Sequence, residues 1–270
     1  MTAISPAAPG VTVSARPGVA ATMRHTATLA WRSLVQIKHN PMELLDLSVQ
    51  PIMFLLLFTY VFGGAIAGST GDYLQFSLPG LIAQNMLFAS LTTAIGLNTD
   101  ITKGVFDRLR SLPIARSAPL TGRIVADTLK QVWAFALFLG LGMVLGFRVH
   151  TGVFGVIGAL ALLLAFALAM SWPAVLIGLT AENQEKVQIM AFSLMMPITF
   201  TSNAFVPTAT MPSWLQKWAE INPVSHLADA VRGLLSGGPV ASSATVSLLW
   251  AAGLAVVFAP LSIRAFRNRT

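Results

Sequence analysis

The chain has no cysteine, so it forms no disulfides and offers no thiolate to a metal, a composition suited to a membrane facing a reducing cytoplasm. Its few histidines, His25, His39, His150 and His226, are scattered and show no metal-ligand spacing. None of the lysines, at Lys38, Lys103, Lys130, Lys186 and Lys217, follows a glycine. A phosphate-cradling Gly-x-x-x-x-Gly-Lys-[Ser/Thr] loop is therefore missing, and the chain is not expected to hydrolyse ATP. No Gly-x-Ser-x-Gly elbow and no paired carboxylate within an apolar run points to catalysis either. The expectation is a protein that is not an enzyme and holds no cofactor of its own.

Charge is scarce as well, at 10% of residues, and its distribution is the most informative feature of the chain. Every Asp, Glu, Lys and Arg lies outside six runs, at 47–71, 73–99, 131–147, 149–181, 187–216 and 233–263. An apolar helix needs roughly 20 residues to cross a bilayer. Five runs exceed that, and the third gains length from Leu129 and from the snorkelling ends Lys130 and Arg148. The fold class expected is all-α, a polytopic membrane protein with six transmembrane helices. No ionisable residue falls deep within a run, although ion-coupled transporters and voltage sensors keep one there. Energy for any pumping must then enter through a partner.

The basic residues sort strongly by side. With the N-terminus inside, the cytoplasmic segments hold Arg16, Arg24, Arg32, Lys38, Lys103, Arg108, Arg110, Arg116, Arg123, Lys130, Lys186, Arg264, Arg267 and Arg269. Only Arg148, Lys217 and Arg232 fall outside. This bias places both termini on the cytoplasmic side of the membrane. It also accounts for the net charge of +7 as contact with anionic lipid headgroups, and excludes a nucleic-acid partner.

Residues 1–21, rich in Ala, Pro, Ser and Thr, read as a disordered tail. In 22–46, Ala27, Trp31, Leu34 and Val35 share one helical face, which predicts an interfacial amphipathic helix interrupted at Asn40-Pro41 before a span starting near Pro51. The six-helix domain spans 47–264 and leaves no room for a large soluble domain. Its cytoplasmic loop, 100–130, carries a patterned segment in which Val105, Leu109 and Leu112 align and Pro113 stops the helix. Such a helix can dock into a partner's groove, and a solvated loop that only sets topology is the competing reading. At 207–243, apolar residues at helical spacing predict two extracytoplasmic helices, anchored by Trp214 and Trp218 and broken at Asn222-Pro223. A short basic tail, 265–270, closes the chain.

Polar residues within the runs form stripes. Asn85, Thr92 and Thr99 share a face of span two, and Ser193, Pro197 and Thr201 share one of span five. Pro197 frees the carbonyl of Ser193. Phe88, Phe192, Phe200 and Phe205 are candidates to line an apolar path beside them. Hydrogen bonding across helices competes with this reading, and for any one residue is the commoner outcome. Gly142 and Gly146 read as a close helix-packing pair.

Several stretches resemble the membrane subunit of type-2 ABC exporters, most closely the daunorubicin-resistance permeases of actinobacteria. They are 97–101 with 103–114, 126–129, 205–207 with 210–216, and 222–224 with 229–232. The resemblance implies two permease copies, a homodimer, joined to two separate ATPase subunits that bind ATP and Mg. It implies that Lys103, Gly104, Phe106, Asp107, Arg108 and Arg110 dock the ATPase, with Glu182 and Glu185 as a second contact. Spans two and five would line the path, with Asn85, Phe88, Thr92, Ser193, Pro197, Phe200 and Thr201 as candidate lining. The expected cargo is a hydrophobic or amphipathic small molecule, drug-like and anthracycline-type. A lipid or glycan exporter of the same architecture, or a passive channel or membrane scaffold, are the alternatives.

Overall fold

The computed structural model describes residues 41–104 and 118–269, together with Arg24 and Thr28. The tail at 1–21, most of the 22–46 helix and the centre of the 100–130 loop lie outside the described residues. Arg24 and Thr28 are both helical, and the Thr28 hydroxyl donates to the Arg24 carbonyl at 2.9 Å.

Every long element among the described residues is a helix, and five are long and apolar enough to cross a membrane. Helix α1 (Pro41–Leu56) runs without a break into a π-helical stretch (Leu57–Phe62) and a short α2 (Gly63–Ala67). Pro41 stands in its first turn, where the missing N–H costs nothing, and its membrane-length part begins at Ser48, close to the expected Pro51. Helix α3 (Thr70–Thr102) follows, capped by the Ser69 hydroxyl, which accepts from the Asp72 amide. Then come α4 (Ala118–Val144), α5 (Gly152–Thr180) and α6 (Gln184–Phe200). The short α7 (Ser213–Ala219) and α8 (Pro223–Ser236) are the pair expected in 207–243, and α9 (Ala241–Arg269) ends the chain. The last helix takes in most of the expected basic tail.

Helix α3 is the spine. Of its membrane-length window 67% is buried, against 17% for α9, which lies at the periphery. Leu78, Leu81 and Ile82 of α3 meet Leu163 and Phe166 of α5 and Phe138 of α4 in one continuous core. Helix α8 wedges between α3, α5 and α9, burying Val224, Leu227, Val231 and Leu235. Residues from α3, α4, α5 and α9 (Leu97, Ile124, Leu179, Phe266) cluster at one end of the bundle, called here the basic end. At the far end the Tyr73 hydroxyl donates to the Phe205 carbonyl at 3.0 Å, and the His150 amide to that of Leu235 at 2.9 Å. Successive long helices therefore traverse the bundle in alternating directions.

Three expectations are revised. The fifth run yields a helix of only 17 residues, α6, about 25 Å long. It ends three residues after Pro197, and the turn through Asn203 completes the traverse by bonding to Asp229 at the far end. The third span starts earlier than its charge-free run, at Ile124, and so includes Asp127 and Lys130. Of the expected glycine pair, only Gly142 sits at a close contact, where an added Cβ would strike the Leu78 side chain of α3. Gly146 instead has a φ of +113° just beyond α4 and turns the chain.

Candidate functional site

Two adjoining cavities open between α1, α3, α4 and α6. The first, of about 300 Å³, is walled by Asn85, Phe88, Ala89 and Thr92 of α3 and by Asp127, Lys130, Gln131 and Ala134 of α4. Each set falls at i, i+3, i+4 and i+7, so two helical stripes face one another across the space. Gln50 and Pro51 of α1 close its third side. The second cavity, of about 190 Å³, shares Gln50, Asn85 and Phe88 with the first and is otherwise mainly aromatic, through Phe54, Phe138, Phe192 and Phe200. Phe88 and Phe192 meet edge to face at 5.6 Å, joining α3 to α6. The pair of cavities forms one amphipathic cleft, with a polar, charge-bearing mouth and an aromatic chamber.

Of the path residues expected from sequence, Asn85, Phe88 and Thr92 line the mouth, and Asn85, Phe88 and Phe200 line the chamber. Thr92 is exposed, and its hydroxyl bonds back to the Ala89 carbonyl at 2.7 Å. Ser193 and Pro197 line neither cavity; they lie on the exposed face of α6. Thr201 sits at the far-end turn, donating to the Pro197 carbonyl and accepting from the Trp218 indole at 2.7 Å. Thr99 serves as helix glue, receiving Gln184 at 2.6 Å. Phe205 is 4% exposed and belongs to the core, where it stacks on Phe58 at 4.7 Å and Phe200 at 5.1 Å.

The basic end gathers the expected coupling elements that the structure describes. Lys103 is exposed just past α3, and Gly104, at a φ of +63°, ends that helix with its amide on the Ile101 carbonyl at 3.0 Å. Phe106, Asp107, Arg108 and Arg110 lie outside the described residues. The α5–α6 turn is fastened to the inner end of α3. Asn98, fully buried, donates to the carbonyls of Gly178 at 3.1 Å and Ala181 at 2.9 Å. Glu182 is exposed on this turn and Glu185 in the first turn of α6, and Glu182 pairs with Lys186. The Asn183 side chain caps α6 by accepting the Lys186 amide at 2.9 Å.

Sequence reasoning missed two features. Gln50, Asp127, Lys130 and Gln131 line the mouth, and the α4 spacing Asp127, Lys130, Gln131, Ala134 was the available signal. At the far end, Arg232 binds the carbonyl of Phe76 at 3.1 Å, pairs with Asp229 and lies 4.1 Å above the Phe76 ring. Asn203 donates to both Asp229 oxygens at 2.9 Å. Burial pushes the Arg232 guanidinium below its ordinary value, and the Asp229 carboxylate opposes that shift. This clamp ties α8 to α3 and to the turn after α6.

Residues 24–235 match the ABC-2 type transporter family. The chain is 42% identical over 254 residues to the daunorubicin resistance ABC transporter permease protein DrrB1 of Streptomyces coeruleorubidus, covering 94% of this chain and 90% of that one. It is 30% identical over 263 residues to the probable doxorubicin resistance ABC transporter permease protein DrrC of Mycobacterium tuberculosis, covering 94% and 91%. A putative transport permease of Cyanophora paradoxa is 27% identical over 77% of this chain and 73% of its own length.

Proposed function

The chain belongs to the ABC-2 type transporter family, and from that membership we propose that it is the permease subunit of an ATP-driven drug exporter. Its cargo is a hydrophobic or amphipathic compound of the anthracycline type, taken from the cytoplasm or inner leaflet and released outside. The observation that carries this reading is the amphipathic cleft, which offers a polar mouth and an aromatic chamber of the size of a small planar molecule. ATP and Mg are bound by a separate ATPase subunit, two copies per complex. Both termini of this chain lie in the cytoplasm, so the basic end meets that ATPase.

Helix α6 supports a second permease copy. Its buried residues, Val187, Ala191, Met195 and Thr199, form a single stripe flanked by Phe192 and Phe200 at the chamber, and the opposite face is uncovered. That surface carries Gln188, Ser193 and the interruption at Pro197 among Ile189, Met190 and Leu194. A face turned to lipid tails has little use for an amide, a hydroxyl and a freed carbonyl. A homodimer joined along α6 would turn these groups toward a central path.

Closure of the ATPase pair would push on 101–114, and so on the inner end of α3, whose Asn85, Phe88 and Thr92 line the cleft. The α5–α6 turn, bonded to α3 through Asn98 and Gln184, would move with it. The test is a Phe106→Ala, Asp107→Ala, Arg108→Ala triple variant in a drug-sensitive host that also carries the ATPase. Loss of drug resistance, with the permease still present in the membrane, is the expected result. Undiminished resistance removes the docking role.

A further inference from the structure

We propose that the mouth of the cleft is a counter-ion exchange site for aromatic amphiphiles that carry a protonated nitrogen. Asp127 is its anion, and Lys130 is the resident cation that the cargo displaces. The proposal rests on the exporter reading and names the cargo chemistry of the same cleft.

Asp127, Lys130 and Gln131 share the α4 stripe that walls the mouth. The Lys130 ammonium stands 3.5 Å from the Asp127 carboxylate, an ion pair longer than a well-formed charge-assisted hydrogen bond. Their side chains are exposed to 20% and 9%, so the carboxylate is held inside while the lysine lies closer to the way out. Lys130 sits on a flexible stem in the inner half of α4 and can swing its head toward the basic end. Asp127 is short and cannot follow. A second group points the same way. Gln131 is 3% exposed, and its side-chain oxygen is buried with no hydrogen-bond partner. A buried acceptor without a donor is costly, and a ligand N–H would satisfy it.

A carboxylate beside an unmatched amide oxygen calls for a donor with positive charge. An anion would be repelled, and a neutral hydrocarbon would have no means of releasing Lys130 from Asp127. The chamber behind, with Phe54, Phe88, Phe138 and Phe192, supplies flat apolar surface and ring faces that attract cations. The favoured cargo therefore places a fused-ring body in the chamber and its charged nitrogen at Asp127. Lys130 leaves as the nitrogen arrives, so the site stays close to neutral and the cargo need not bring a counter-ion into the membrane.

The two members of the pair thus have opposite effects on binding, which a purely structural ion pair does not. The full-length permease in lipid nanodiscs is titrated with 9-aminoacridine, a fluorescent planar cation, and with anthracene, its uncharged ring analogue. Asp127→Asn should weaken 9-aminoacridine by about tenfold, and Lys130→Gln should tighten it several-fold, on the scale of one partly buried charge contact. Anthracene should respond to neither. Because a misfolded protein does not gain affinity, the Lys130→Gln result stands apart from any loss of stability. Weakening by both substitutions, or no change with either, overturns the proposal. Vesicles containing the permease and its ATPase separate the two levels of the reading. Export of 9-aminoacridine by wild type and Asp127→Asn alike sinks the exchange site and leaves the exporter standing. Absence of export by the wild type, for cation and neutral ring alike, removes both.

Discussion

Asn98 shows how one side chain can join two helices. It is fully buried, and its amide hydrogens reach the carbonyls of Gly178 and Ala181 at the end of α5, where helix geometry leaves carbonyls without partners. Asn98→Ala removes both donors and should lower stability by about 1–3 kcal/mol, read as an earlier unfolding transition in detergent. Phe88 works differently, since it touches both cavities and packs against Phe192. Phe88→Ala should reduce export of planar compounds several-fold with little change in the amount of folded permease, as drug accumulation in intact cells would report. An unchanged accumulation would take Phe88 out of the path.

Among the elements, α3 and α6 differ most in how they are packed. Helix α3 touches neighbours all round, including α4 at the point where Gly142 gives way to Leu78. Gly142→Val would press a branched side chain into that contact and should cost about 1–3 kcal/mol by overpacking. The same change at Gly140, with nothing within 4 Å of its Cβ position, should be close to neutral in the same unfolding assay. Helix α6 packs along a single stripe and is held at its two ends, by Gln184 on Thr99 and by Asn203 on Asp229. An element anchored at both ends and packed along one face only is suited to changing its partner on the other face during a transport cycle.

For the whole molecule, the absence of cysteine is an experimental advantage, because any introduced thiol is the only one present. If two copies meet along α6, Ser193→Cys should form an intermolecular disulfide in oxidised membranes. Val257→Cys, on the peripheral helix α9, should not. Cross-linking through α9 in preference to α6 would refute the proposed dimer arrangement. The same thiol-free background allows a test of orientation. A membrane-impermeant maleimide should label Thr151→Cys in intact cells and label Gln184→Cys only after the cells are opened.

What could be read from the chain alone was whatever depends on local composition. Runs without charge, at 47–71 and in the five later segments, mark where a backbone can enter hydrocarbon, because a charge there carries a large local cost. The missing Gly-Lys motif, the basic bias of one side, the helix pair in 207–243 and the Asn85–Thr92 stripe are likewise properties of neighbouring residues. The tertiary structure alone decided which stripes face each other. Asp127, Lys130 and Gln131 look like the edge of a loop until α4 crosses α3 and brings them opposite Asn85 and Thr92. Phe205 joins the core instead of the path, and Ser193 turns away from the cleft, because α6 ends soon after Pro197 and the chain folds back over α3. Hydropathy is a sum over adjacent residues, whereas a site depends on the angle and rotation at which distant helices cross, and these are set by packing.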